Sequence, residues 1–427
     1  MKQQTRQWPN AKSGIILFEN KMLQVKPFRA WRPTPELAAQ VADVPYDVVD
    51  RCEAAALAAG NPHSFLRISR AEIELSPDID PYSREVYERA KSNFDAWRTN
   101  GVLIQEAVPT YYLYRLSQGK HSQEGIVACC HVDDYRSDVI KKHEKTRQEK
   151  EDDRTRHIDT LSAHTGPVLL TYRDVPELDQ LMSMAAELPP LYDFTAPDGV
   201  RHTIWRMPSA SAIQQCFTEV PTAYIADGHH RAASSVNVAE QRRAASVADP
   251  DAEYNWFLTI LFPAGRLRVL PYNRLVHDLN GLSEQDFIKA LGGAFDLEEN
   301  APPAPGGTGR ISMYLAGKWF GLRRRFPAPA GDPVAALDVS YLQDHLLAPI
   351  LEIRDPRTDS RIEFVGGARG VKALEQSVDS GDFAVAFSMF PVTVSQLMSI
   401  ADGGLTMPPK STWFEPKPRS GLLVHDF

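Results

Sequence analysis

Two stretches of this chain place groups that can move a proton or grip an anion side by side. The first is Asp227-Gly228-His229-His230-Arg231, which follows the apolar run AYIA and precedes AASSVNVAE. That composition reads as strand, tight turn and helix start. Gly228 admits a backbone geometry closed to other residues. The first N–H groups of a helix, aided by its dipole, point at negative charge. Two imidazoles and a guanidinium beside that end make a compact phosphate site. The bland alternative is an Asp227 N-cap followed by exposed histidines and a surface arginine. A zinc site is disfavoured, because His229 and His230 point in different directions on a helix and no third ligand stands at a recognised spacing.

The second stretch is KKHEKTRQEKEDDRTRH, from Lys141 to His157. Glu144 beside His143, in a mouth of positive charge, is the type of group that removes a proton from an alcohol. From 148 to 156 the same stretch reads as a solvated helix, with Glu149 and Asp153 set against Lys145 and Arg154. A third feature is the tail MPPKSTWFEPKPRSGLLV, residues 407–424. Its prolines fix an extended loop that carries Lys410, Ser411 and Thr412, while Trp413 and Phe414 can anchor it in a groove. FVGGAR (364–369) is a weak phosphate loop, lacking the full G-x-x-x-x-G-K-[ST] pattern. The chain holds neither a Walker motif nor a G-x-G-x-x-G fingerprint.

The elements that must position these groups are an irregular mixture. Two short helices are expected over 34–59, with Pro35 starting the first and Gly60 stopping the second. Asn61-Pro62 marks a turn, and Phe65, Leu66 and Ile68 a short strand. Tyr82, Val86, Ala90, Phe94 and Trp97 share one face of a helix over 82–99. Residues 110–116 and 125–132 read as a hairpin joined by the polar tract SQGKHSQE. Later strands are expected at 168–172, 203–207, 223–226, 255–262, 268–270, 311–315, 319–322 and 384–389. Helices are expected at 176–187, 230–245, 283–291 and 393–401. No regular βαβ beat emerges, so the fold class is α+β (mixed α/β) rather than a TIM barrel or Rossmann domain. APPAPGGTG (301–309) and PAPAGDP (327–333) read as loops or linkers. The division that follows is 1–125, 126–300 and 301–427, with the cuts softened because groups near 144, 230 and 411 must meet.

Composition narrows the partners. The 427 residues are 43% hydrophobic and 24% charged, ordinary for a globular chain. A net charge of −8 argues against a protein that binds nucleic acid through its phosphates. The N-terminus MKQQTRQWPN has no apolar core like that of a signal peptide, and no apolar run is long enough for a membrane span. Cys52, Cys129, Cys130 and Cys216 form no C-x-x-C pair. Cys129 and Cys130 would face opposite sides of a strand as reduced, buried thiols. A cytoplasmic location is expected.

His-Glu, a strand ending in DGHHR and a terminal P-K-[ST]-T segment occur here in the order that resembles the free L-serine kinases of the ParB/sulfiredoxin-like superfamily. The resemblance implies a ParB/sulfiredoxin-like catalytic core with N-terminal and C-terminal additions. It implies Glu144 as general base, with His230 and Arg231 also catalytic. It implies Asp227, Gly228, His229, His230 and Arg231 on the donor's phosphates. Lys410, Ser411 and Thr412, with His143, would hold the amino acid, and Asp227 would orient the turn or contact Mg²⁺. The donor would be ATP or ADP, with pyrophosphate a further candidate, and the product O-phosphoserine. Asp47, His63 and Ser64 are candidates for an added wall of the pocket. The serine kinases are shorter, and residues 1–130 have no counterpart in them. The whole chain also resembles a bacterial domain family of unknown function marked by PYDVV, NPxSFL, HExTR, DGHHRA, LPYNR and PPKST. These stand here at 45–49, 61–66, 143–147, 227–232, 270–274 and 408–412. The alternatives to a kinase are a nucleotide-binding ParB-like regulatory module without transfer chemistry and a phosphoserine phosphohydrolase. Partners are a small amino acid and a nucleotide, with no nucleic acid and no membrane; a homodimer is compatible with this reading.

Overall fold

A computed structural model describes residues 22–245 and 249–427; the N-terminal segment MKQQTRQWPN lies outside them. Two large sheets, three two-stranded ribbons and packed helices make the architecture of the described residues, which is α+β. The first sheet runs Ile140–Lys141, Ala223–Asp227, Val168–Tyr172, Trp256–Pro263, His121–His131, Tyr111–Gln118, Arg201–Met207 and Tyr192–Thr195, with Val25–Lys26 added to His121–His131. It is mixed: Ala223–Asp227 lies parallel to Ile140–Lys141, and Trp256–Pro263 parallel to Val168–Tyr172, while the other pairs are antiparallel. The second sheet, in the order Phe295–Glu299, Lys318–Arg324, Arg310–Leu315, Val385–Met389, Tyr272–Val276 and Ile362–Gly366, is antiparallel throughout.

One apolar core joins the sheets. Cys129, Leu258, Ile260 and Phe262 of the first pack in the same cluster as Val276, Met313, Val385 and Phe387 of the second. Cys130 faces the other way, into the cluster under helices Pro176–Ala186, Ala210–Phe217 and His229–Ala245. The period-2 alternation of a strand thus sends the two adjacent free thiols into different cores. Position 125 falls inside strand His121–His131, and 301–309 separates strands of the second sheet, so each expected cut has partners of one sheet on both sides.

Three expectations change. Phe65, Leu66 and Ile68 lie on a turn of helix, Leu66–Ser69, not a strand. Phe65 and Ile68 sit three residues apart and both bury against helix Arg84–Thr99. The turn is started from outside, because Asp43 accepts from the Ser64 hydroxyl (2.6 Å) and the Leu66 N–H (3.1 Å). The tract SQGKHSQE is mostly strand. Gln118 pairs with His121 across a tight turn, and the Ser117 and Ser122 hydroxyls meet at 3.0 Å. Polar cross-strand pairs sustain this exposed ladder without apolar alternation. Helix Gln148–Leu161 is not solvated all round. It packs between Arg84–Thr99 and His229–Ala245 and buries Asp153, Arg154, Thr155 and His157. Asp153 accepts from Arg154 at 2.9 Å and from Tyr87 at 2.9 Å, and that compensation lets a charged sequence lie inside.

The C-terminal segment is a strap across the molecule. Trp31 and Val424 exchange backbone hydrogen bonds, as do Asp43 and Ser420, and His425–Asp426 pairs with Ala163–His164. Arg419 is buried between Asp198 and His202. Gly421 has φ +86°, and a Cβ there would lie 2.5 Å from the Phe65 ring. Gly421→Ala is therefore expected to lower unfolding free energy by roughly 2–4 kcal/mol, from left-handed strain and overpacking together. Urea denaturation checks this; an unchanged midpoint would show that the strap does not seat on Phe65.

Candidate active site

The strand Ala223–Asp227 ends at a turn whose form its sequence dictates. Gly228 has φ +95°, and a Cβ at that position would stand 3.0 Å from Cζ of Arg231, whose guanidinium folds back over it. Helix His229–Ala245 begins immediately, and its first backbone bond runs from the Ala232 N–H to the Gly228 carbonyl at 3.0 Å. The N–H groups of His229, His230 and Arg231 precede that bond and give this end its positive character.

The turn opens on a cavity of about 730 Å³. Around it stand His143, Glu144, Asp227, Gly228, His229, His230, Lys410, Ser411 and Thr412, which come from three distant stretches. Arg231 instead lies behind the turn. It donates to Asp227 Oδ2 at 2.8 Å and to the Pro167 carbonyl, and lines a small second cavity beside Ser420. Asp47 reaches the main cavity, 3.8 Å from Arg231. His63 and Ser64 do not: His63 pairs with Gln40 at 3.1 Å and Ser64 serves Asp43.

Asp227 is clamped between two cations. Lys417 donates to Oδ1 at 3.0 Å and Arg231 to Oδ2 at 2.8 Å. Burial alone would raise its pKa, but Lys417 and Arg231 hold the carboxyl far below the usual carboxylate range. Burial would likewise lower Lys417, yet Asp227 and Asp47 raise it. With both Asp227 oxygens committed, this carboxylate does not fit a direct Mg²⁺ ligand, and no cluster of three metal-ligating side chains occurs among the described residues.

His143 and His229 are buried, with their rings edge to face at 4.5 Å. Burial pushes His143 down to about 4, and burial together with His143 pushes His229 well below the ordinary histidine value. Both are neutral at pH 7. Glu144 Oε2 lies 3.6 Å from Nδ1 of His229. The Glu144 side chain is 49% exposed, and the cavity is what it opens on. The protein walls around it still desolvate the carboxyl and raise its pKa, against the pull of Lys410, Arg147 and Lys417. His230 Nε2 accepts the Arg147 N–H at 3.0 Å, which leaves the proton of the neutral ring on Nδ1.

The tail is held in its shape by a residue of the LPYNR stretch. Buried Arg274 donates to the Lys410 carbonyl at 3.2 Å and to the Tyr272 carbonyl, and fixes Lys410 at φ +54°. The Ser411 hydroxyl donates to the Pro408 carbonyl at 2.7 Å. FVGGAR lies beneath this tail, with Gly366 against the Trp413 ring. Sequence reasoning passed over Lys417, Arg274, Arg147 and Lys150. Lys417 had a signal, since Pro416 and Pro418 flank it and fix the backbone that presents it.

The arrangement offers a proton acceptor with raised pKa, a helix N-terminus, and Arg147, Lys150, Arg369 and Lys410, none of which is in an ion pair among the described residues. Such an arrangement is chemically suited to an anionic ligand and to deprotonating a hydroxyl beside it. No helix of the described residues is long and apolar enough to cross a membrane.

The family model described as "Protein of unknown function (DUF1015)" matches residues 25–340. No curated protein matches the chain. Solved structures similar to it include a conserved hypothetical protein from Pyrococcus furiosus, at 14% identity and TM-score 0.34 over 69% of this chain and 93% of that one. A free serine kinase in complex with AMP is similar at 14% identity and TM-score 0.33, over 68% of this chain and 86% of that one. SbnI with C-terminal truncation from Staphylococcus aureus is similar at 13% identity and TM-score 0.37, over 70% and 86%.

The neutral histidines make stability pH-dependent. Burial holds His143 and His157 at about 4 and His202 at about 3 in the folded chain. The unfolded chain takes up those protons near pH 6.5, so it binds more protons between about 6.5 and 4, and stability falls as pH falls through that window. Urea unfolding free energies measured from pH 7 to 4.5 should decline steadily; a flat profile would show that these rings are not held neutral.

Proposed function

The chain belongs to the family of proteins of unknown function DUF1015, and we propose that it transfers a phosphoryl group from a nucleotide to the hydroxyl of free L-serine or a similar small amino acid. The observation that carries this reading is the setting of Glu144. It is a carboxylate of raised pKa, facing a helix N-terminus and cations with no ion-pair partner, in a cavity of about 730 Å³. That volume suits a nucleotide-sized ligand together with a small acceptor.

In the step proposed, the acceptor oxygen attacks the terminal phosphorus of the nucleoside di- or triphosphate. The new O–P bond forms as the bridging P–O bond breaks, and the departing nucleotide keeps the electron pair. The hydroxyl proton passes to Glu144. Such transfers depend on positioning and charge stabilisation more than on covalent chemistry. The N–H groups at His229 and His230 and the Nδ1–H of His230 hold the moving phosphoryl group. Arg231 acts from behind, through Asp227 and the shape of the turn. Lys410 meets the amino acid's carboxylate with Thr412. Ser411, whose proton goes to Pro408, accepts from the ammonium group. Mg²⁺ bound to the donor's phosphates would supply further charge neutralisation there, with no carboxylate of the chain assigned to hold it.

Incubation of the full chain with Mg²⁺, L-serine and ATP, ADP or pyrophosphate, followed by phosphorus NMR, should give O-phosphoserine with at least one donor. Glu144→Gln should slow turnover by about 10²–10⁴-fold, the usual worth of a general base, with nucleotide affinity kept within about twofold. A full-rate mutant would sink the base assignment. No phosphorylated amino acid with any donor would sink the transfer itself. Phosphate release without an acceptor would instead mark a phosphohydrolase, and nucleotide-dependent melting without product a binding module.

A further inference from the structure

One wall of the cavity has no part in the chemistry above. It comes from residues 46–49, 68–72 and 81–90, and Val48, Val49, Pro81, Val86 and Ala90 give it an apolar lining. Its deep charges are satisfied internally. Arg154 is paired with Asp153 at 2.9 Å and lies over the Tyr46 ring at 4.1 Å, and Arg70 is paired with Glu72 at 2.7 Å. The rim differs, because Arg147 and Lys150 have no carboxylate partner among the described residues. A ligand that fits this wall has an apolar, flat part inside and an anionic part at the rim.

Tyr82 stands where those two regions meet. It is half-buried and lines the cavity, and it is pinned at several points. Its hydroxyl accepts from Lys150 Nζ at 2.6 Å, its N–H donates to Asp80 at 2.9 Å, and its carbonyl accepts from Arg156 at 3.4 Å. An aromatic ring fixed in this way costs little entropy when a second flat group stacks on it. Stacking tolerates any base, because every base has a π-face.

We propose that Tyr82 is the platform for the nucleobase of the donor, so that the N-terminal wall rather than the DGHHR turn gives the site its preference for a nucleoside. The inference rests on the reading of the cavity as a nucleotide site. Free serine or a similar small amino acid has no flat apolar part to place there, and inorganic polyphosphate has none either. The wall therefore separates a nucleotide from its phosphate chain alone.

Calorimetric titration of the full chain with ATP and with inorganic tripolyphosphate tests this without requiring turnover. Wild type should bind ATP more tightly than tripolyphosphate. Tyr82→Ala should weaken ATP about tenfold, within the range of base–aromatic stacking, and leave tripolyphosphate within about twofold. Tyr82→Trp, which keeps a platform, should retain ATP affinity within about threefold. If Tyr82→Ala keeps full ATP affinity, or weakens both ligands equally, Tyr82 is not the platform, while the nucleotide reading stands. If wild type binds neither ligand, the nucleotide reading falls and takes this inference with it.

Discussion

Asp227 is where the middle of the chain and its end are tied together. Its two oxygens are held by Lys417, from the tail, and by Arg231, from the helix that Asp227 introduces. A buried carboxylate with no cation beside it would be costly, and so would the buried Lys417 ammonium without Asp227. Each makes the other admissible. Lys417 thus ties the tail to the turn through a buried ion pair, and the cavity draws its walls from both sides of that junction.

The tail's own shape depends on a second buried cation with a different solution. Arg274 has no carboxylate partner among the described residues, and burial lowers its pKa to about 10. It is satisfied by two backbone carbonyls and by the Phe364 ring, 5.4 Å away. One of those carbonyls belongs to Lys410, whose left-handed backbone would by itself cost about 1 kcal/mol or more. Arg274 holds Lys410 in that conformation, and the lysine side chain is left over the Tyr272 ring at 5.4 Å and beside Glu144. Arg274 of the LPYNR stretch thus acts through the tail, while Tyr272 of the same stretch lines the cavity.

Much of this was legible in the sequence where a local rule governs. The turn at Gly228, the helix from Arg84 to Thr99 and the alternation at Cys129 and Cys130 follow from backbone freedom and periodicity, and the structure agrees. The convergence of 144, 230 and 411 on one cavity came from motif order, not from spacing. What stayed hidden needs partners far along the chain. Phe65–Ile68 turns helical because Asp43 caps it, and nothing local announces that cap. Charged helix Gln148–Leu161 is buried because Tyr87 and the backbone carbonyls of Ile68 and Ser69 complete its polar groups. Arg231 reads as a phosphate ligand, and the structure turns its two terminal nitrogens to Pro167 and Asp227 behind the turn.

The choice of Glu144 as the proton acceptor follows from charge balance around the cavity. Five carboxylates line it: Asp47, Glu72, Glu144, Asp153 and Asp227. Glu72 is paired with Arg70, Asp153 with Arg154, and Asp227 with Lys417 and Arg231. Asp47 has Arg231 at 3.8 Å. A carboxylate held down by its cations is a poor base, and against burial the cations beside Asp153 and Asp227 hold both below the usual carboxylate range. Glu144 has His229 within 3.6 Å, and burial keeps that ring uncharged. Its cations, Lys410, Arg147 and Lys417, act on it without pairing, and burial outweighs them. A net charge of −8 over the chain is thus compatible with a site that attracts anions. The acidic groups lining the site are nearly all consumed in place, and Glu144, which is in no pair with a charged cation among the described residues, opens on the cavity.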